Sequence, residues 1–219
     1  MLIKNLILAS ASPDRKNLLK QILKVPFQII PADIDESKVY FTNPAKQAME
    51  LSRRKARKIA SKLPADKEWT ILAADTLVAH DNKIIGKAQN CSQAKQIINE
   101  LSGTWHNLIT GYCIIKKNSS EIEKTGKVIT KVHFRKITGA ELEDYLSKDS
   151  WKNKAGAYGI QEEARDFIPQ IEGCFLNVIG LPLCHIVKIL VSLGCKLDSS
   201  KLKEKCKQYN KIECKIDLA

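Results

Sequence analysis

Short apolar runs and amphipathic stretches follow one another along this chain, and together they predict an α/β fold. The apolar runs have the length and flanking turn residues of β-strands, and they cover residues 6–9, 27–31, 71–79, 84–87, 105–115 and 128–134. Apolar residues at helical spacing predict helices over 13–23, 44–63, 91–101, 141–146 and 182–194. Because strands and helices do not alternate strictly, the pattern favours a mixed sheet over a doubly wound parallel one.

One predicted strand carries a carboxylate inside its apolar run. Residues 71–74 lead directly into Asp75, and a tight turn at 80–83 then brings the chain back to Lys87. A buried charge is costly unless it has a partner. Two interpretations stay open at this point. Asp75 either forms an ion pair that holds the core, or it is a catalytic carboxylate to which Lys87 returns across the hairpin.

The first strand passes through a short loop into the first helix. Ser12 is a good N-cap and Pro13 suits the first helical position, so Ser10 and Arg15 lie at the helix N-terminus. Free backbone N–H groups and the positive end of the helix dipole suit a phosphate there, although an ordinary capped helix shows the same pattern. The loop contains neither GxxxxGK(S/T) nor GxGxxG, so it is not one of the two familiar phosphate-binding loops.

Two further stretches carry charge close to predicted strand ends. Residues 33–36, Asp-Ile-Asp-Glu, are either a solvated turn or a set of oxygen ligands for Mg²⁺ or Mn²⁺. The helix predicted over 44–63 is rich in Arg and Lys. Most of these side chains belong on the surface, but one that faced a cleft would be enough to bind phosphate.

Composition and charge narrow the classes of partner. A chain of 219 residues with 44% hydrophobic residues can bury the core of one large domain or of two small lobes. The net charge of +12 suits anionic partners such as nucleotides, nucleic acid or an anionic membrane surface. Much of this excess positive charge is Lys on helix faces and in the C-terminal tail. This distribution favours a solvated surface over a binding surface for an anionic partner. The low aromatic content, 6%, argues against binding of single-stranded nucleic acid through base stacking.

Cysteine usage and hydropathy bear on the compartment. The seven cysteines are odd in number and none are spaced as CxxC, so they predict neither a zinc module nor a disulfide framework but a reducing cytoplasm. The first nine residues are too short and too weakly basic for a signal peptide. The apolar stretch over 178–193 is interrupted by Gly180 and Pro182, so we expect no membrane span. We expect one domain over residues 1–195 and a Lys-rich tail over 196–219, as a loosely held helix or disordered.

Several motifs in fixed order resemble the Maf family of nucleoside triphosphate pyrophosphatases, from about residue 6 to residue 194. The matching segments are Leu8-Ala9-Ser10-Ala11-Ser12-Pro13 with Arg15, residues 33–36, Lys55-Ala56, residues 74–78, Gly86-Lys87, His106 with Thr110-Gly111, residues 154–161, residues 171–173 and residues 177–182. One such motif would be weak support, whereas all of them in family order identify the chain as a member.

The resemblance implies an elongated α/β fold with a mixed sheet and a deep cleft between two lobes, as in Maf and ITPase-like proteins. It also implies hydrolysis of a nucleoside triphosphate to the monophosphate and pyrophosphate with a divalent cation, Mg²⁺ or Mn²⁺. The segment over 154–161 resembles the branch acting on dTTP and UTP rather than the branch acting on 7-methyl-GTP. The resemblance implies no specific nucleic acid and no membrane as partner, and leaves a homodimer open.

The family's functional residues carry over to nine positions. By resemblance Asp75 is the general base, and Glu36 holds the metal. Phosphate-binding positions are Ser10, Arg15, Lys55 and Lys87, whereas Asp14, Thr76 and Gln161 match positions tied to the choice of base.

Two departures from the family pattern leave alternatives open. Asp14 stands where the family usually has a second Arg, so an anion replaces a cation beside the expected triphosphate. Glu162 stands where the family often has Gly. The base preference is therefore open, and a broad or noncanonical nucleotide pyrophosphatase is the enzymatic alternative. A non-catalytic regulator of cell division that binds nucleotides or nucleic acid is the alternative from another class, although it would have no use for an acidic pair, Glu36 and Asp75, among basic residues.

Overall fold

A mixed sheet of seven strands runs through the centre of the computed structural model, which describes residues 3, 5–23, 25–161, 163–197 and 202. The strands are β1 (Leu6–Leu8), β2 (Phe27–Ile29), β3 (Trp69–His80), β4 (Lys83–Ile85), β5 (Trp105–Lys117), β6 (Glu121–His133) and β7 (Gln170–Glu172). The α-helices are α1 (Pro13–Leu23), α2 (Pro44–Ala60), α3 (Cys91–Leu101), α4 (Gly139–Ser147), α5 (Phe175–Ile179) and α6 (Leu183–Ser192). Short 3₁₀ helices cover Glu36–Lys38 and Glu163–Phe167.

The strand order is β2-β1-β3-β5-β6-β7, with β4 paired to β3. The short strand β1 pairs in parallel with both β2 and β3, whereas β3, β5, β6 and β7 pair antiparallel with one another in that order. The sheet is therefore mixed, as the irregular alternation of strands and helices predicts.

The long strand β3 is buried on both faces, which explains its continuous apolar run. Leu72 and Ala74 point into the main core with α1, α3, α4, α5 and α6. Ile71 and Ala73 point to the other face, where they pack with Ala56 and Ile59 of α2. Because side chains alternate along a strand, Asp75 points to the α2 face like Ala73, and Thr76 points to the face of the main core like Ala74.

Helix α2 lies unusually close to β5. A Cβ atom on Gly111 would lie 2.2 Å from the backbone carbonyl carbon of Ala48, so only glycine allows this approach. Asn43 caps the start of the helix, since its side-chain oxygen accepts from the backbone N–H groups of Ala45 and Lys46. The close contact fixes α2 against the sheet and with it every side chain that α2 directs towards β3.

The predicted elements appear with small shifts in their bounds, and the largest difference is β6. The apolar pattern predicts a strand over 128–134, but the strand begins at Glu121 because a turn at 118–120 returns the chain directly along β5. In residues 121–127 Ile122 is the one large apolar side chain and most positions are exposed, so the segment carries no periodic apolar signal. Backbone pairing with β5 holds them in the strand.

Of the tail predicted over 196–219, the structure describes 196, 197 and 202, and the remaining positions lie outside the described residues, as does Glu162. Leu202 is helical and fully buried in the main core. None of the helices in the described part of the chain has the length and apolar character of a membrane-spanning segment. The cysteines within the described residues are thiols rather than disulfides.

Candidate active site

A cleft beside the carboxyl end of β1 brings together all nine side chains that the sequence assigns to a site. It has two connected compartments of about 610 Å³ and 470 Å³. Both compartments are lined by Ser12, Asp14, Arg15, Glu36, Lys55, Lys87, Asn153 and Lys154. Ser10 lines the first compartment, and Asp75, Thr76 and Gln161 line the second.

The two compartments differ in chemistry. The first is bounded by the loop before α1 and by several basic side chains, so we call it the phosphate end. The second also contains apolar side chains, namely Leu51, Leu77, Ile84, Ile85, Leu108, Tyr158, Val178 and Ile179, and we call it the base end. Arg15, Lys55, Lys87 and Lys154 line both compartments, so the cleft is basic along its length and apolar chiefly at the base end, which suits a ligand with an anionic tail and a flat heterocycle.

Asp75 lies on the α2 face of the sheet, two residues after Ala73. Its Oδ1 accepts from the Lys55 ammonium, with Nζ at 2.6 Å, and the Asp75 residue is 6% exposed. The Lys55 Nζ also lies 2.7 Å from Oε1 of Glu36. The two carboxylate oxygens are therefore within about 5.3 Å of each other, because both contact the same ammonium at 2.6 Å and 2.7 Å.

Lys55 reaches this position because it borders the buried stripe of α2. Leu51 and Ser52 precede it by one helical turn and face the sheet, and Ala56 and Ile59 continue the same stripe. The Lys55 side chain is 13% exposed, so its charge is largely withdrawn from water and needs the carboxylates beside it.

Glu36 begins a short 3₁₀ helix on the other side of the Lys55 ammonium. Asp35 caps this helix by accepting from the backbone N–H of Ser37, and neither Asp33 nor Asp35 lines the cleft. Partial burial raises the pKa of Glu36, but the hydrogen bond from Lys55 and the surrounding positive charges outweigh it and leave the pKa below its usual value. Of the acidic stretch 33–36, only Glu36 therefore offers its carboxylate to the cleft.

Arg15 connects three segments that are distant in the sequence. Its Nε donates to the Gly180 carbonyl at 2.9 Å, its Nη1 to the Ala74 carbonyl at 2.8 Å, and its Nη2 to Oγ1 of Thr76 at 2.9 Å. Nη1 also donates to Oγ of Ser10 at 3.2 Å. Four of the five N–H groups of the guanidinium thus bond within the protein. Burial lowers the pKa of Arg15, and the nearby carboxylates partly offset this.

Sequence reasoning found Asp14 but missed its partner. Lys154 Nζ lies 3.1 Å from Oδ2 of Asp14, so the anion that replaces the family's Arg is matched by a cation from the opposite wall of the cleft. The two residues are 140 positions apart. The signal that could have found the pair is the combination of an unexpected Asp and a Lys within the matching segment 154–161.

Thr76 and Gln161 lie at the base end but are held differently. Oγ1 of Thr76 contacts Oγ1 of Thr110 at 2.9 Å in addition to Arg15, so its hydroxyl is fixed. Gln161 is exposed. Behind this end, Nε2 of the buried His106 shares a hydrogen bond of 2.7 Å with the Tyr158 hydroxyl. Burial, with smaller contributions from neighbouring histidines, lowers the pKa of His106 to about 3, so His106 is neutral at physiological pH. Its ring packs behind the cleft and bonds Tyr158, which is a structural role.

The Maf family model, described as Maf-like protein, matches residues 5–193. The chain belongs to the Maf family.

Curated Maf relatives are similar over almost their whole length. A protein of Clostridium botulinum (strain Kyoto / Type A2) named dTTP/UTP pyrophosphatase is 41% identical over 196 residues, which are 89% of this chain and 100% of that protein. A protein of Pyrococcus furiosus with the same name is 40% identical over 197 residues, 89% of this chain and 98% of that protein. A solved dITP/XTP pyrophosphatase of Mycobacterium abscessus aligns with a TM-score of 0.38 and 13% identity over 61% of this chain and 76% of that one, which is too weak to carry an argument.

The donor set of this Maf cleft fits a divalent cation that is bound together with a phosphate. Within the described ranges, no group of three or more His, Cys, Asp or Glu side chains could enclose a metal. Asp75 and Glu36 nevertheless offer two carboxylates a few ångströms apart, and Mg²⁺ is commonly held by one or two carboxylates, water and substrate phosphate oxygens. The residues present therefore fit a cation that enters with its substrate.

The contacts of Arg15 predict a structural effect of its replacement. In Arg15→Lys the ammonium cannot reach the separate acceptors on β1–α1, β3 and the turn at Gly180, and buried carbonyls lose their donors. We expect the free energy of unfolding to fall by about 2–4 kcal/mol in denaturant titrations without nucleotide.

Arg53→Lys is the matched control for this experiment. Arg53 pairs with Glu50 on the exposed side of α2, and its replacement should change the free energy of unfolding by less than about 0.5 kcal/mol. Unchanged stability of Arg15→Lys without ligand, with a loss of nucleotide binding alone, would show that Arg15 acts only as a phosphate ligand.

Proposed function

We propose that this Maf protein hydrolyses nucleoside triphosphates to the monophosphate and pyrophosphate, with dTTP and UTP as preferred substrates. The observation that carries this proposal is Asp75, a nearly buried carboxylate that lines the base end and is held at 2.6 Å by Lys55, which lines both compartments. The similarity to relatives named dTTP/UTP pyrophosphatase, at about 40% identity, supports the same reaction.

Substrate orientation follows from the two ends of the cleft. The triphosphate belongs at the phosphate end, where Ser10 and the N-terminus of α1 offer donors and Lys55 and Lys87 offer positive charge. The base then lies among the apolar side chains of the base end. This orientation puts the α-phosphorus near the junction of the two compartments, where Asp75 lies.

Asp75 is the proposed general base. It takes a proton from a water molecule as the water oxygen forms a bond to the α-phosphorus. The bond from the α-phosphorus to the oxygen bridging to the β-phosphorus then breaks, and pyrophosphate leaves with the electron pair. An unpaired carboxylate would repel the phosphates, and the Lys55 ammonium offsets this charge at 2.6 Å.

Positive charge around the leaving group stabilises the transition state. Lys87 lies at the edge of both compartments, and its backbone pairs with Ala155 in an isolated bridge, which ties the β4 hairpin to the opposite wall. Glu36 and Asp75 are the residues that would hold a divalent cation, which would supply further neutralisation of the developing charge. Arg15 contributes chiefly by positioning, because its N–H groups already hold Ser10 and Thr76 in place.

Base selection is proposed to rest on Gln161 and Thr76. Uracil and thymine present the same edge, with carbonyl acceptors on either side of an N–H donor, and the amide of Gln161 offers one acceptor and two donors to such an edge. The Thr76 hydroxyl is fixed by Arg15 and Thr110, so its lone pairs and proton point in defined directions. A site built on such hydrogen bonds rejects a base that leaves them unmatched.

Product analysis tests the proposed function. Purified protein is incubated with dTTP, UTP, CTP, GTP, ATP and 7-methyl-GTP, with Mg²⁺ or Mn²⁺, and the products are separated. We expect monophosphate and pyrophosphate from dTTP and UTP, at rates well above those for the other nucleotides. Equal hydrolysis of all six would instead support the broad pyrophosphatase, and no hydrolysis by folded protein would overturn the proposal in favour of a binding regulator.

Replacement of the general base should abolish turnover and spare binding. In Asp75→Asn the amide cannot accept the proton from water, and we expect kcat to fall by at least ~10²-fold. Affinity for a non-hydrolysable α,β-imido analogue of dUTP should change little, as measured by calorimetry.

Asp81→Asn makes the same chemical change in the exposed turn between β3 and β4, where the backbone has φ 46° and Asn is tolerated. It should leave kcat unchanged. Near-normal turnover of Asp75→Asn would remove Asp75 from the catalytic role.

A further inference from the structure

We propose that Lys154 is an additional phosphate-binding residue, and that Asp14 holds it at the mouth of the cleft until the polyphosphate of the substrate takes its place. This inference rests on the proposed function and extends it. It names a residue for substrate binding and gives a role to Asp14, which departs from the family pattern by placing an anion beside the expected triphosphate.

The position of the pair connects the two walls of the cleft. Asp14 lies in the first turn of α1, and Lys154 lies in the loop that follows α4. Nζ of Lys154 is 3.1 Å from Oδ2 of Asp14. Both residues line both compartments, so the pair lies where the polyphosphate would pass from the phosphate end towards the base.

The ion pair between Lys154 and Asp14 is weak enough for a phosphate to take the place of Asp14. The side chains of Lys154 and Asp14 are 24% and 30% exposed, and ion pairs with this much water around them contribute little. By contrast, Lys55 is 13% exposed and lies between two carboxylates, so it is held much more firmly. Of these two lysines, Lys154 is the one whose partner a polyanion can replace.

The exchange follows from charge and from side-chain chemistry. A triphosphate brings several negative charges to within a few ångströms of the Lys154 ammonium, whereas Asp14 brings one. Lysine is a flexible point charge that can turn from a carboxylate to a phosphate without a fixed geometry. Asp14 thus competes with substrate for one cation and also occupies the positive end of α1, so it lowers affinity for polyphosphate and favours its release.

A double-mutant cycle on binding tests the inference. The dissociation constants of inorganic tripolyphosphate and of α,β-imido dUTP are measured by calorimetry for the wild type, Asp14→Asn, Lys154→Gln and the double variant. We expect Asp14→Asn to tighten binding by about two- to fivefold. We expect Lys154→Gln to weaken it by up to about tenfold. In the Lys154→Gln background, Asp14→Asn should give a clearly smaller gain, because the cation for which Asp14 competes with the phosphates is absent.

A second ion pair in the described part of the chain serves as the control. Lys148 and Asp144 form a pair of 2.7 Å on the exposed side of α4, and neither residue lines the cleft. Lys148→Gln and Asp144→Asn make the same changes of charge on the same part of the molecule and should leave both dissociation constants unchanged. Equal shifts from the control variants would mean that net charge alone is measured, which would overturn the inference.

Two other results would also overturn it. If Lys154→Gln leaves binding unchanged, Lys154 does not contact the phosphates. If Asp14→Asn gives the same gain with and without Lys154, Asp14 acts on the substrate directly and not by holding Lys154. The binding cycle needs no turnover, so a failure of the proposed function would be seen separately, as an absence of hydrolysis by the wild type in the same preparations.

Discussion

The Lys55 ammonium lies between Asp75 and Glu36, and the arrangement of the site depends on this one contact. Lys55 and Asp75 have little access to water, whereas the Glu36 side chain is 51% exposed, so removal of Asp75 or Lys55 leaves its largely buried partner less well compensated. The contact forms only if α2 is pressed against the sheet at Gly111 and if Asp75 points to the α2 side of β3. The register of β3, the contact of α2 with the sheet and the geometry of the site are therefore linked through the Lys55 side chain.

A second set of hydrogen bonds, donated by Arg15, lies on the opposite face of β3. Thr76 follows Asp75 and so points to the α1 side, where Arg15 bonds it together with the carbonyls of Ala74 and Gly180. Adjacent residues of β3 are thus held by cations from different helices. This accounts for how a strand that is buried almost throughout can present two polar side chains in defined positions at one cleft.

Much of the fold could be predicted because its signals are local. Apolar runs, caps such as Ser12 and the tight turn at 80–83 depend on neighbours in the sequence. The start of β6 could not be predicted, since its first residues are mostly polar and owe their conformation to pairing with β5. The family assignment from motif order is confirmed by the match over residues 5–193.

For the site, the sequence predicted which side chains meet but not how they are bonded. The motifs placed Arg15 and Lys55 near phosphate, yet two of the four acceptors of Arg15 are backbone carbonyls, one of them 165 positions away, which no side-chain pattern reveals. The partner of Asp14, Lys154, is 140 positions away in the sequence, so the residues around Asp14 do not reveal the pair. The roles of the nine site residues stay predictions, and the geometry adds which of them are exposed to a substrate and which hold others in place.

The most direct test of the account is the fate of the water oxygen. Hydrolysis of dTTP is carried out in ¹⁸O-labelled water, and the label is located by mass spectrometry of the products. Attack on the α-phosphorus by a water molecule beside Asp75 predicts one labelled oxygen in the nucleoside monophosphate and none in the pyrophosphate. Label in the pyrophosphate would place the attack on the β-phosphorus and contradict the proposed position of the substrate relative to Asp75.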